Sequence, residues 1–184
     1  MRTFVFYAVM VLGVMGLSSC GSSKKVEKSP IESFVMPCSD LVSGNGVLRA
    51  WGSGKSDNKT SARKKAQMVA ASELAAMLER TVKSTTEDYT GNLSESEMGT
   101  SKTLLIEKTK VTTEKSLKGA AIVCDRWTKD EATGQYTNYL VMELRGEEYL
   151  NALYVELSNN GNASVDKELL KKLFFKYIEE NINK

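Results

Sequence analysis

The chain has 184 residues, 25 Lys and Arg against 23 Asp and Glu, a formal charge of +2 and no histidine. So even a balance carries neither a nucleic-acid footprint nor a polybasic lipid patch. The missing histidine removes the commonest general base, every Ser-His or Cys-His nucleophile pair and the usual zinc ligand sets, leaving carboxylate-only or lysine-based chemistry to an enzyme.

At the N-terminus Arg2 forms a short basic region, and Phe4 to Leu17 form an uncharged apolar run of 14 residues. That run is too short for a bilayer core, which needs about 20, and reads as the h-region of a signal peptide. It closes on Leu17, Ser18, Ser19 and Cys20, the Leu-small-small-Cys order of a lipobox. Small residues let the backbone enter the signal peptidase, and the thiol carries diacylglycerol before cleavage frees its amine for a third chain. Residues 1–19 are therefore expected to be a removed leader and Cys20 the lipidation site. One acyl chain holds a protein only marginally, whereas two or three make attachment effectively permanent. Gly21 stands after Cys20, not the Asp that favours inner-membrane retention in enteric-type bacteria. The expected address is the outer membrane of a Gram-negative cell, with the periplasmic face preferred to the cell surface.

Removal of residues 1–19 leaves 165 residues, enough for one domain with a real core. Residues 20–33 are rich in Ser and Lys and contain Pro30; they read as a flexible, solvated tether. The thiols that remain, Cys38 and Cys124, are either bridged or two buried small hydrophobes; in an exported protein a disulfide is the expected state.

Folded structure is expected from about residue 34. Gly44 and Gly46 mark a turn into a first strand, Val47 to Ser53. From Thr60 to Lys83, Ala62, Ala66, Val69, Ala70, Leu74, Met77, Leu78 and Val82 recur at three and four residues and predict an amphipathic helix. Thr81 to Ser101 is polar and predicts a break. A surface helix follows at Ser101 to Leu117, its thin apolar face carried by Leu104, Leu105 and Val111. Strands at Ala120 to Trp127 and Gln135 to Leu144 form a hairpin around Asp130 to Gly134. Helices at Glu147 to Leu157 and Ser164 to Asn181 end the chain, separated by Asn159 to Asn162, with Ser164 as N-cap. The fold class is α+β: a small antiparallel sheet in the order β-α-α-β-β-α-α, helices on one face and a long C-terminal helix. Residues 34–158 are expected to form the domain and 159–184 a C-terminal amphipathic segment.

Arg49, Ala50, Trp51, Gly52, Ser53 and Gly54, the alanine-rich run Ala62, Arg63, Ala66, Ala70, Leu74 and Ala75, then Leu117, Lys118 and Gly119, and the hairpin residues Trp127, Gly134, Tyr136 and Leu140 together carry a resemblance. Over about residues 47–145 the chain resembles the LPP-twenty family of small outer-membrane lipoproteins, whose domain is also similar to the N-terminal domain of a flagellar outer-ring protein. The resemblance implies a lipid-anchored envelope protein without catalytic residues.

Gly54, Lys55 and Ser56 echo the end of a phosphate-binding loop, but Arg49 stands where its first glycine is required. Gly52 and Gly54 are read instead as letting the chain turn from strand into helix. Trp51 and Trp127 are either packed at the sheet or stacking platforms for a glycan or peptide. Leu170, Leu173, Phe174, Tyr177 and Ile178 share one stripe of the last helix; it either docks on the domain or engages a partner or second copy through Phe174 and Tyr177. The adjacent acids Glu147 and Glu148, and Asp130 and Glu131, are read as helix-start and turn residues. No cofactor, metal or catalytic residue is expected. The function expected is a non-enzymatic binding or scaffold module on a membrane anchor, with other envelope proteins, peptidoglycan or a second copy as partners. The alternatives are a glycan- or small-ligand-binding lipoprotein and a carboxylate-based envelope hydrolase.

Overall fold

The computed structural model describes residues 36–93, 95–159 and 165–182, so the expected leader, Cys20, the tether and Ser164 lie outside the described residues. Seven elements follow in order: β1 (Val47–Ser56), α1 (Lys59–Gly91), α2 (Glu95–Lys118), β2 (Ala121–Lys129), β3 (Tyr136–Arg145), α3 (Gly146–Ser158) and α4 (Lys167–Ile182). The protein is α+β, as its pattern predicts. β3 is the central strand of a three-stranded antiparallel sheet ordered β1-β3-β2.

Strand alternation decides the two faces. Leu48 and Ala50 of β1, with Leu140, Met142 and Leu144 of β3, are buried toward α1. Their register partners match across the strands, Leu48 with Leu144 and Ala50 with Met142. On the same face Gly52 and Gly54 meet the alanine stripe of α1. A Cβ on Gly52 would overlap the Ala66 carbonyl and stand 2.6 Å from the Ala70 nitrogen; one on Gly54 would stand 2.6 Å from the Ala66 nitrogen. Both glycines thus lie inside β1. Their role is close approach of helix to strand, which corrects the expectation that they turn the chain.

α1 runs to Gly91 and only residues 92–94 separate it from α2, where a long polar break was expected. The reason is threonine chemistry. Thr81, Thr85 and Thr90 are buried, and each hydroxyl donates to the carbonyl four residues back, Met77, Thr81 and Thr86, at 2.7–3.0 Å. A hydroxyl satisfied by its own helix can face a core without leaving an unmade bond. In α2 the buried residues among those described are Leu105, Thr109, Thr112 and Thr113; Thr112 and Thr109 donate to the carbonyls of Lys108 and Ile106 and Thr113 shares a hydrogen bond with the Tyr149 hydroxyl, whereas Val111, expected on its apolar face, is exposed.

α3 and α4 complete one core with α1. Tyr149 of α3 stacks on Phe174 of α4 with centroids 5.1 Å apart, and Leu150, Leu153, Leu170, Leu173 and Ile178 are buried around them. Asp166 Oδ1 accepts the Leu169 amide at 3.0 Å and caps the first turn of α4. The C-terminal helix is therefore part of the domain core, and the division expected at residue 158 is not a structural boundary.

The other face of the sheet is crossed by residues 36–43. Cys38 is bonded to Cys124 of β2, with a Cα–Cα distance of 6.2 Å across 86 residues of sequence. The expected bridge is present. Loop-closure entropy assigns a bridge over so long a loop about 4–5 kcal/mol.

Candidate interaction surfaces

Two sheet edges and a cleft are prominent accessible features among the described residues. At β1, Arg49 directs its amide and carbonyl away from β3. Ser43 answers both: its Oγ accepts the Arg49 amide at 2.7 Å and donates to the Arg49 carbonyl at 3.0 Å. The turn Gly44-Asn45-Gly46-Val47 brings Ser43 there. Asn45 and Gly46 take the positive φ of a two-residue hairpin, and Gly44 and Val47 exchange both backbone bonds at 3.0 Å. Farther along this edge Lys65 Nζ donates to the Lys55 carbonyl at 3.1 Å. Between these points Trp51 is half-buried, and its indole N–H donates to the Leu41 carbonyl at 3.1 Å. A notch of about 210 Å³ opens beside it, walled by Met36, Pro37, Val69 and Tyr139. Trp51 is thus a wall of this notch with its polar atom already used.

Below the notch Glu143, 8% exposed, stands between two guanidiniums. Arg49 Nε and Nη2 each approach Oε2 at 2.8 Å, and Arg145 Nε reaches Oε1 at 3.3 Å. Burial pushes the Glu143 carboxyl up, but the hydrogen bonds and charges of Arg49 and Arg145 outweigh it and hold the group below the ordinary carboxylate range. A cleft of about 450 Å³ lies alongside, between the end of α2, the start of β2 and the start of α3, with Glu143, Arg145 and Glu148 in its wall. Its charges are mutually paired, Glu148 reaching Arg145 at 3.7 Å. Glu143 and Arg49 lie 94 residues apart, and nothing local in the sequence marks the pair.

β2 is the opposite edge. α1 lies along β1 and β3, and its one recorded tie to β2 is Arg63, whose Nε donates to Asp125 Oδ2 at 2.7 Å. Asn138 of β3 donates to Asp125 Oδ1 at 2.6 Å and to the Arg126 carbonyl at 3.0 Å. Burial raises the Asp125 carboxyl and the bonds from Arg63 and Asn138 lower it further than that, so it too stays anionic at neutral pH. Ile122, Val123 and Trp127 are 38%, 40% and 38% exposed, so Trp127 is an accessible side chain on this strand.

The remaining residues singled out by sequence fall elsewhere. Phe174 is 1% exposed and cannot meet a partner; it corrects the groove-seeking reading of the last helix, because the stripe is consumed by Tyr149 and the core. Tyr177 is half-buried and donates to Asp88 Oδ2 at 3.0 Å. The acid pairs do not converge: Glu147 is bound by Lys171 at 2.7 Å, Asp130 faces Lys55 at 3.7 Å and Glu131 faces Lys129 at 3.2 Å. Among the described residues every carboxylate with a resolved shift is lowered, the opposite of what a general acid at neutral pH requires. No group of three His, Cys, Asp or Glu side chains among them is placed to hold a metal ion. No helix among the described residues is long and apolar enough to cross a membrane. No protein-family model, curated protein or solved structure matches the chain.

Proposed function

We propose that this chain is a lipid-anchored cell-envelope protein of the LPP-twenty type, cut before Cys20 and held at the outer membrane by acyl chains. Its folded domain acts as a non-enzymatic binding or assembly module. The observation that carries this reading is the lipobox Leu17-Ser18-Ser19-Cys20 at the end of a 14-residue apolar run. The Cys38–Cys124 bond supports it, since such bonds persist in oxidising compartments outside the cytosol. The domain adds carboxylates tied up by cations and an accessible strand, a chemistry suited to docking. A small-ligand reading would use the cleft of about 450 Å³, whose wall charges Glu143, Arg145 and Glu148 are already paired with one another, since the notch at Trp51, about 210 Å³, falls short of the roughly 300 Å³ at which ligand pockets begin.

The test is metabolic. Cells making the full chain are fed labelled palmitate and fractionated beside cells making Cys20→Ser. The expected result is a labelled protein that pellets with membranes and a variant that is unlabelled and released. A wild-type protein that pellets without label overturns the anchor. Crosslinking in the same intact cells, read by mass spectrometry, then names the envelope component that the domain contacts.

A further inference from the structure

We propose that the outer edge of β2 pairs with the same edge of a second copy, about a two-fold axis at Trp127, to give a continuous six-stranded antiparallel sheet. The inference does not depend on the acyl anchor.

The argument begins with backbone direction. Asp130 donates its amide to Gln135 across the hairpin at 2.9 Å, so its peptide groups point toward β3. Successive residues of a strand alternate in this respect. Thr128 and Arg126 therefore also point inward, and Lys129, Trp127 and Asp125 direct their amides and carbonyls to the outside. No backbone partner is recorded for these outward groups among the described residues. β1, by contrast, has Ser43 and Lys65 on its outer edge. A bare strand edge is a template for another strand. Three of the exposed large apolar side chains, Ile122, Val123 and Trp127, stand on this same strand.

Charge then selects both the occupant and the register. In a two-fold antiparallel pair, the residue on the axis faces its own copy, and residues equally far on either side of it face each other. An axis at Arg126 sets two guanidiniums together, and one at Asp125 sets two carboxylates together. An axis at Lys129 opposes two ammoniums, and one at Thr128 places Asp125 against Glu131, while the Asp130 that it sets opposite Arg126 is already engaged by the turn amides of Ala132 and Thr133. An axis at Trp127 sets Asp125 opposite Lys129 twice and one indole against the other. Opposite charges directly across a pair stabilise it and like charges destabilise it. Asp125 is held anionic by Arg63 and Asn138. The Lys129 ammonium has only the highly exposed Glu131 carboxylate near it, at 3.2 Å. Among the axes from Asp125 to Lys129, the one at Trp127 opposes unlike charges without opposing like ones.

The full chain, purified in detergent, is mixed as light and ¹⁵N-labelled copies and treated with a carbodiimide that joins carboxylate to amine with no spacer. Within one extended strand Asp125 and Lys129 are four residues apart, about 13 Å, beyond zero-length reach. The expected product is a mixed light–heavy peptide joining Asp125 to Lys129. Sedimentation in density-matched detergent should show a dimer whose dissociation constant rises about tenfold in Lys129→Glu and is unchanged in Lys129→Arg, with the melting temperature of both variants preserved. A monomer at every concentration overturns the proposal, as does a dimer whose dissociation constant is unchanged in Lys129→Glu or that crosslinks only elsewhere.

Discussion

β1 and β2 flank the same central strand and share its register, yet they are protected to very different degrees. β1 has a helix seated closely on it through Gly52 and Gly54, the outer backbone groups of Arg49 met by Ser43 and the Lys55 carbonyl met by Lys65, and a segment fastened to β2 by the disulfide across the other face of the sheet. β2 has one ion pair to the helix layer and the disulfide at Cys124 on its other face, and no backbone partner is seen on its outer edge among the described residues. Edge strands left open invite pairing, and folds usually blunt them. One outer edge is thus partly closed by side chains, Ser43 and Lys65, and the other carries none of these backbone contacts.

The contrast can be broken first at β1. Gly52→Val drives a branched side chain into the backbone of α1 at Ala66 and Ala70, where no side chain can yield. The expected loss exceeds about 4 kcal/mol and abolishes folding, read as loss of the cooperative thermal transition. Releasing the crossing segment is next. Cys38→Ser with Cys124→Ser should lower stability by about 4 kcal/mol, measured by urea unfolding, and raise proteolysis within residues 36–43.

Glu143 beneath that segment gives a smaller, pH-dependent effect. Its folded value is depressed below the ordinary 4.5, so its contribution is complete above that value and is lost as pH falls through the depressed one. Glu143→Gln should cost about 2 kcal/mol near neutral pH, and the difference from wild type should shrink as the medium is acidified below the ordinary value. Urea midpoints taken across that range check the sign. On β2 the expected change is least: Ile122→Thr should shift stability by under about 0.5 kcal/mol in the monomer, because the side chain is already exposed. A large melting shift there would mean that β2 is less bare than its exposure indicates.

How far the sequence could be read follows the same division between local and distant contacts. The alanine stripe at 62, 66 and 70 and the β2–β3 hairpin were legible because each is a short-range period. Cys38 and Cys124 were legible through arithmetic, as the two cysteines of the chain other than Cys20. The threonine-rich length of α1 was not, since a pattern scored on apolar residues reads Thr81 to Thr90 as solvent-facing. Its hydroxyls are instead turned back onto their own helix. Val69 and Val111 illustrate the converse, as apolar residues counted into buried faces that the helices in fact leave exposed. Phe174 failed for a third reason: a stripe says that a helix has a dry side and nothing about which surface dries it. The bareness of β2 was also beyond reach, since it depends on where α1 lies over the sheet.

The disulfide also decides how the domain bears load. Tension applied from the N-terminal side reaches the fold at Cys38 and divides there, one branch following the main chain through the turn at Gly44 into β1, the other crossing directly to Cys124 in β2. The second branch is covalent and short. If the domain is gripped along β2, the force runs from thiol to strand to grip, and neither the core under α1 nor the hydrogen bonds of Ser43 lies in its path.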